Sequence, residues 1–354
     1  MNNYIVWLLS LLFYNGLCVV IPPPDISNLN LAFANEGPLN RPTYGACGGY
    51  SATKDKFYLL GGDQFVNNVR VPKTDSIKIA QVYDPRTKTT QIVNINIPTQ
   101  RQSLECLSQN YVTSGERIII VYRSEIIVFN METETGESFT VNYIDAGDDS
   151  GTSTDADKQE FAVASDNDEN LFVVTKNKLY VLDLYTFAKK VSGPTLLKGV
   201  RQYHSIGYLN GAVYVVGGFS GTTTLDYSPG CEKVTIDLTT PGNMAFSSIA
   251  SYTQYIIAPR ILTIGGYLYA ITGSNDYNSG WVGSKTVRLL NEANGSWQKN
   301  KGTTKNSRIY ANALLRLGKI YLFSGLSTLP LQEDAPDSQY ASACVLVNEK
   351  STVS

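Results

Sequence analysis

Six times along this chain a run of β-branched and aromatic residues follows a turn. The runs are Phe57 to Gly62 (FYLLGG), Arg117 to Tyr122 (RIIIVY), Leu171 to Thr175 (LFVVT), Val213 to Gly218 (VYVVGG), Leu268 to Gly273 (LYAITG) and Ile320 to Gly325 (IYLFSG). Their starts lie 42 to 60 residues apart. Repetition at that period means one supersecondary unit used many times. Each run has an apolar strand before it, joined by a turn such as Asn210-Gly211 or Leu317-Gly318-Lys319, where glycine accepts positive φ. Several units continue into a third strand, a polar turn and a fourth strand, as in Gln81 to Thr90 followed by Gln91 to Asn94, and again at Leu179 to Thr186. Four strands make one small sheet that cannot cover both its faces alone. Stacking such sheets side by side around an axis covers them, so the repeat itself implies radial packing.

The unit resembles a kelch repeat. The diglycines Gly61-Gly62 and Gly217-Gly218 close second strands, Tyr83-Asp84-Pro85 is followed by Thr87, and Arg201-Gln202-Tyr203-His204 precedes a first strand. The resemblance spans roughly residues 41 to 350. Units two and three depart from it, with Val121-Tyr122 and Thr175-Lys176 where the diglycine stands, and the family's fourth-strand tryptophan survives only at Trp297. The resemblance implies an all-β, six-bladed kelch-type β-propeller, with seven blades as the alternative. The last unit runs short of chain. Its first strand reaches Leu317, its second covers Ile320 to Phe323, and its third is expected at Tyr340 to Val347. A segment within Ile26 to Asn35 is expected to supply the fourth strand and close the ring. The alternatives are a tail that folds back alone, or a longer natural chain.

The apolar run from Ile5 to Phe13, continued at Leu17 to Ile21 and stopped by Pro22-Pro23-Pro24, reads as a signal peptide over residues 1–21. It is short for a membrane span. Its lack of Lys or Arg before Ile5 keeps a signal anchor as the rival. A single propeller domain over 22–354 follows, and the location expected is extracellular. Secretion makes Cys47, Cys106, Cys231 and Cys344 disulfide candidates, whose three possible pairings sequence cannot separate. Asn294-Gly295-Ser296 is a glycosylation sequon or an ordinary turn.

With 29 Lys+Arg against 31 Asp+Glu, the net charge is −2. No stretch is basic enough for a nucleic-acid partner. A propeller hosts many functions, so function must come from a site. Arg41, Arg101, Arg201 and Arg308 each precede a first strand, with Tyr44, Tyr203 and Tyr310 nearby and Lys158 and Phe161 in similar places in unit three. Radial stacking would set these cations around one mouth of a channel, suited to an acidic peptide or sugar. The resemblance places partner-binding loops on that same face. The competing reading makes the arginines architectural, bonding carbonyls of an adjacent loop. Trp281, in Asn278-Ser279-Gly280-Trp281, offers a sugar-stacking platform or a plug against a neighbouring blade.

His204 is the only histidine. Its place fits the repeat, which makes it structural. Copper oxidases on kelch-like propellers use two histidines and two tyrosines, so one histidine cannot build that centre, nor a multi-histidine zinc site. Asp145, Asp148, Asp149, Asp155 and Asp157 lie in a polar loop without an EF-hand pattern, read as solvated rather than calcium-binding. Asn291 to Trp297 lacks the aspartate of a sialidase Asp-box. No nucleophile elbow or phosphate loop stands out. No cofactor or metal is expected. The reading is an extracellular binding module for a protein or acidic glycan. Its alternatives are a self-assembling wall or matrix protein, or an enzyme on an acidic sugar (a sialic-acid isomerase, say) with Glu105 as the carboxylate facing the arginines.

Overall fold

A computed structural model describes residues 31–99, 101, 104–107, 109–145, 161–197, 199–220, 230–250, 256–274, 282–292, 294–298, 301–328, 336, 339, 345 and 347–353. The signal peptide expected over residues 1–21, Lys158, Trp281 and Cys344 lie outside them. The described chain is all-β. Four separate antiparallel sheets of four strands follow one another, and two further units merge into one larger sheet. The first strands of the six units are Cys47–Ser51, Tyr111–Ser114, Ala162–Ser165, Ser205–Leu209, Arg260–Ile264 and Asn312–Arg316. Each contacts the next, and Asn312–Arg316 contacts Cys47–Ser51, so the contacts run full circle. That arrangement is consistent with a propeller.

Composition explains why each sheet needs two neighbours. The second strands, such as Arg117–Val121 (RIIIV) and Ala212–Val216 (AVYVV), are apolar on both faces and almost wholly buried. A strand covered on both sides reads as a continuous apolar run. The fourth strands, such as Thr89–Asn94 and Thr135–Thr140, are largely exposed and carry polar residues. Six apolar clusters fill the gaps between consecutive units. Tyr58 meets Phe129 between units one and two, Phe172 meets Tyr208 between three and four, and Phe57 meets Tyr321 and Phe323 between one and six. The others join two to three, four to five and five to six.

The last unit takes its fourth strand from the N-terminal side. Leu31–Pro38 pairs antiparallel with Val347–Val353, with Leu31 opposite Val353 and Ala34 opposite Lys350. The closing strand therefore starts within the expected segment and runs past it. The strand paired with Lys319–Phe323 is Val347–Val353, and most of the expected segment, Tyr340 to Val347, lies outside the described residues. Two bonds draw this polar segment into the sheet. The Ile320 N–H donates to Ser351 Oγ at 2.8 Å, and Glu349 accepts from Arg308 at 3.0 Å. Leu31–Pro38 also runs parallel beside Gly302–Arg308, which joins the fifth unit's sheet to the sixth's.

The turn expected at Asn210-Gly211 is present, with φ of 47° and 77°. The diglycines do different work. Gly217 has φ +69°, and a Cβ there would lie 2.3 Å from the Ile256 carbonyl oxygen of the next unit. Gly218 donates its N–H to that same oxygen at 2.9 Å. Gly61 sits likewise against the Leu104 carbonyl, and the Gly62 N–H donates to it at 2.6 Å. The diglycine thus lets two neighbouring units approach to backbone contact. Gly211 has open space around its Cβ position. Gly211→Ala should therefore cost about 1 kcal/mol from backbone conformation alone. Gly217→Ala should cost at least about 2 kcal/mol, since strain and a displaced loop add. Urea unfolding of the two variants measures the difference.

Candidate functional site

The chain segments leading into the first strands lie at one end of the ring, and those of four units contribute to a buried aromatic stopper there. Tyr44, Phe65, Tyr203, Phe219 and Tyr310 form one buried cluster with Ile257, Ile309 and Leu326. Tyr310 stands 6.5 Å from Tyr44 and 6.3 Å from Tyr203, centroid to centroid. Burial pushes the phenols of Tyr203 and Tyr310 well above their ordinary range. Tyr203 and Tyr310 hold φ of 54° and 58°, a conformation uncommon for bulky residues. The tyrosines expected as an open recognition surface thus pack on one another.

The four arginines do not form a ring of open guanidinium groups. Arg201 is buried, donating to Glu232 and to the carbonyls of Gly217 at 3.1 Å and Gly230 at 2.6 Å. Arg308 is fully buried, donating to Glu349 and to the Ser324 carbonyl at 2.7 Å. Arg101 pairs with Glu125 at 3.0 Å and lies 3.7 Å over the Tyr122 ring. Arg41 reaches Gln64 Oε1 at 3.4 Å, and its backbone N–H donates to Gln81 Oε1 at 2.9 Å. Gln81, Glu232 and Glu349 occupy the same register position on their third strands, opposite Leu59, Val215 and Leu322. The arginine and its third-strand partner form a repeated internal brace.

The other expected residues also have structural settings. Glu105 pairs with Lys73 rather than facing the arginines. Phe161 is buried between units two and three. His204 is buried, with Nε2 3.2 Å from the Val174 carbonyl. Burial, helped by the Arg201 charge, pushes its imidazole down to about 3. Asn294 accepts bonds from the Ser296 N–H and hydroxyl, an ordinary turn geometry. Asp145 binds Lys178, Lys189 and Ser192, while residues 146–160 lie outside the described ones. Cys47 is bonded to Cys106 across 59 residues of chain, and Cys231 is buried.

Beyond the stopper the first strands line a cleft of about 560 Å3. Every one of the six first strands contributes to its wall. Gln109 spans it. Its Nε2 donates to the Ile206 carbonyl at 3.0 Å, with longer bonds to Val163 and Ile261, and its Oε1 accepts from the Ile261 N–H at 2.9 Å. One amide side chain thereby satisfies the strand edges of three other units. Tyr111 and Arg260 lie beside it at the stoppered end, where the first strands begin. Asp166, Asn167, Asn210 and Gly266 lie at the hairpin-turn end.

Arg260 and Gln109 were not among the residues singled out from sequence. Their signal is register. The residue opposite the end of the second strand is Cys47, Ala162, Ser205, Arg260 or Asn312 in units one, three, four, five and six. Four are neutral and one is an arginine. Arg260 lies outside the four-arginine pattern, so only strand pairing brings it into that comparison. Compared with known proteins, the chain matches no protein-family model and no curated protein.

Two outcomes follow from these settings. Arg308→Ala leaves Glu349 buried without its partner and should cost about 3–5 kcal/mol in unfolding free energy, read by denaturant titration. A buried histidine held neutral destabilises the fold as pH falls. The unfolded chain takes up a proton below about 6.5 that folded His204 refuses until about 3. Stability should therefore be full above pH 6.5 and fall through that window, by up to about 1.4 kcal/mol per pH unit. His204→Gln should flatten that part of the pH–stability curve.

Proposed function

We propose that this chain is a secreted kelch-type β-propeller of six blades that serves as an extracellular binding module, with its ligand received in the central channel. Six first strands in cyclic contact and six apolar interfaces between consecutive sheets support the blade count. The Cys47–Cys106 disulfide supports an oxidising compartment. The kelch assignment rests on the repeat and on the role its diglycines play between units.

The observation that carries the reading is a channel with unequal ends. The stopper of Tyr44, Tyr203 and Tyr310 lies at one end, and a cleft of about 560 Å3 runs from beside it to the hairpin-turn end. That volume suits a small molecule or the end of a glycan or peptide. Hydroxyls and amides of Thr113, Ser165, Asn167, Asn210 and Thr263 line it among apolar side chains, the mixture by which pockets fix orientation. Binding is favoured over catalysis by the state of Asp166. It is the one acidic residue among the described lining residues, and its carboxylate accepts the N–H groups of Asp168, Glu169 and Asn170. A carboxylate so engaged is a poor general base.

The test is a glycan and peptide array probed with residues 22–354 and two variants. Thr263→Trp obstructs the cleft. Val69→Glu alters an exposed apolar residue on the hairpin beside the stopper. Captured ligands should lose most of their signal with Thr263→Trp and keep it with Val69→Glu. The reverse pattern would move the site to the loop face, and an array silent for all three proteins would favour a structural role.

A further inference from the structure

We infer that the channel ligand carries a carboxylate and that Arg260 is its anchor, an inference that rests on the channel reading above. Arg260 is 3% exposed and lines the cleft. Its Nε donates to the Ala311 carbonyl and its Nη2 to the Cys106 carbonyl at 2.6 Å. Its Nη1 is shielded from water and makes no hydrogen bond. Two other buried arginines have carboxylates, Glu232 for Arg201 and Glu349 for Arg308. No carboxylate of the described residues lies within ion-pair distance of Arg260. The Tyr111 ring is 5.4 Å from the guanidinium centre, and the Tyr111 hydroxyl is committed to Asn312.

Folding thus buries a permanent cation with a charged donor unsatisfied, which is costly unless something compensates it. The guanidinium does not escape by losing its proton, since arginine stays charged in proteins. Among the described residues it meets carbonyls but no counter-charge. Among the described lining residues Arg260 is the only cation, and the one anion, Asp166, sits towards the hairpin turns with its own N–H partners. Strand register sets Arg260 apart as well. Units one, three, four and six place Cys47, Ala162, Ser205 and Asn312 at this position. Ser205 and Asn312 each bond a backbone carbonyl of the next unit, Pro259 and Ala46 respectively. Arg260 makes the same link to Ala311 and retains a donor beyond it. A local rule broken at one place, at a cost, marks a functional position more often than an accident.

The ligand that fits is a small organic acid. Nη1 is shielded while the cleft is empty, so the guanidinium must turn its edge towards the ligand, where a planar carboxylate accepts from it. The hydroxyl and amide lining further along the cleft suits an acid that also bears hydroxyl groups. Glucuronate and acetate serve as carboxylate probes, with glucose and acetamide as their neutral counterparts.

The experiment is calorimetric titration of these four into the full secreted chain at low and high salt. Glucuronate should bind at least about tenfold more tightly than glucose, the expectation for a charge-assisted hydrogen bond. Acetate should compete with it. Arg260→Met should reduce the preference to within about twofold, and Arg260→Lys should keep part of it. If Arg260→Met unfolds, Thr263→Trp supplies the second reading, because it leaves Arg260 in place and should still abolish glucuronate binding. Equal binding of glucuronate and glucose, both lost in Thr263→Trp, would overturn the carboxylate anchor and leave the channel reading standing. Glucuronate binding that survives Thr263→Trp, or no binding by either acid, would overturn the anchor. If array ligands then also survive Thr263→Trp, the channel reading falls as well.

Discussion

The structure depends on one recurring contact, the link by which four of the six units hold the residues leading into the next unit's first strand. Ser205 bonds Pro259, Arg260 bonds Ala311, Asn312 bonds Ala46, and Cys47 is covalently joined to Cys106. The same junctions receive the N–H groups of Gly62, Gly218, Gly273 and Gly325 at the ends of second strands. These links share one end of the ring. They hold the backbones too close for a side chain at Gly61 or Gly217, which explains the diglycine in physical terms. Apolar packing between sheets is adaptable in angle, whereas these polar and covalent ties fix how far each sheet turns from the last.

Arginine is used in two ways around that frame. In Arg201 and Arg308 it is a brace, buried against Glu232 and Glu349 and satisfying loop carbonyls. Breaking such a pair leaves a stranded charge, so the brace specifies one arrangement of loop and sheet. In Arg260 the same fork satisfies two carbonyls and faces no carboxylate among the described residues. Identical chemistry therefore yields architecture or a candidate site according to whether the chain itself supplies the anion.

Much of this was legible in the sequence. The six apolar runs mark second strands because a strand buried on both faces has no polar alternation, and Asn210-Gly211 marks its turn because two consecutive positive φ values need such residues. The strand that closes the ring was legible as a need, since the last unit lacked a fourth strand. The third strand of that unit was not. Tyr340 to Val347 is the more apolar segment, but Glu349 and Ser351 are recruited by Arg308 and Ile320 from elsewhere in the fold. Sequence also placed the arginines and tyrosines together without their orientation. Tyr203 and Tyr310 turn inward through left-handed backbone that residue type does not advertise. Arg260 was hidden because its meaning is a comparison across units, available only once strand register is known.

The central claim is that the ring closes through the pairing of Leu31–Pro38 with Val347–Val353, which holds the channel walls together. Ala34 and Lys350 are directly opposite across that pair. The most direct measurement is disulfide formation in the double variant Ala34→Cys, Lys350→Cys, followed by peptide mapping and thermal unfolding. The account predicts near-complete cross-linking between these two cysteines and a higher unfolding temperature when oxidised than when that bond is absent. Absence of the cross-link under oxidising conditions, in a protein that still folds, would contradict the closure and the channel built on it.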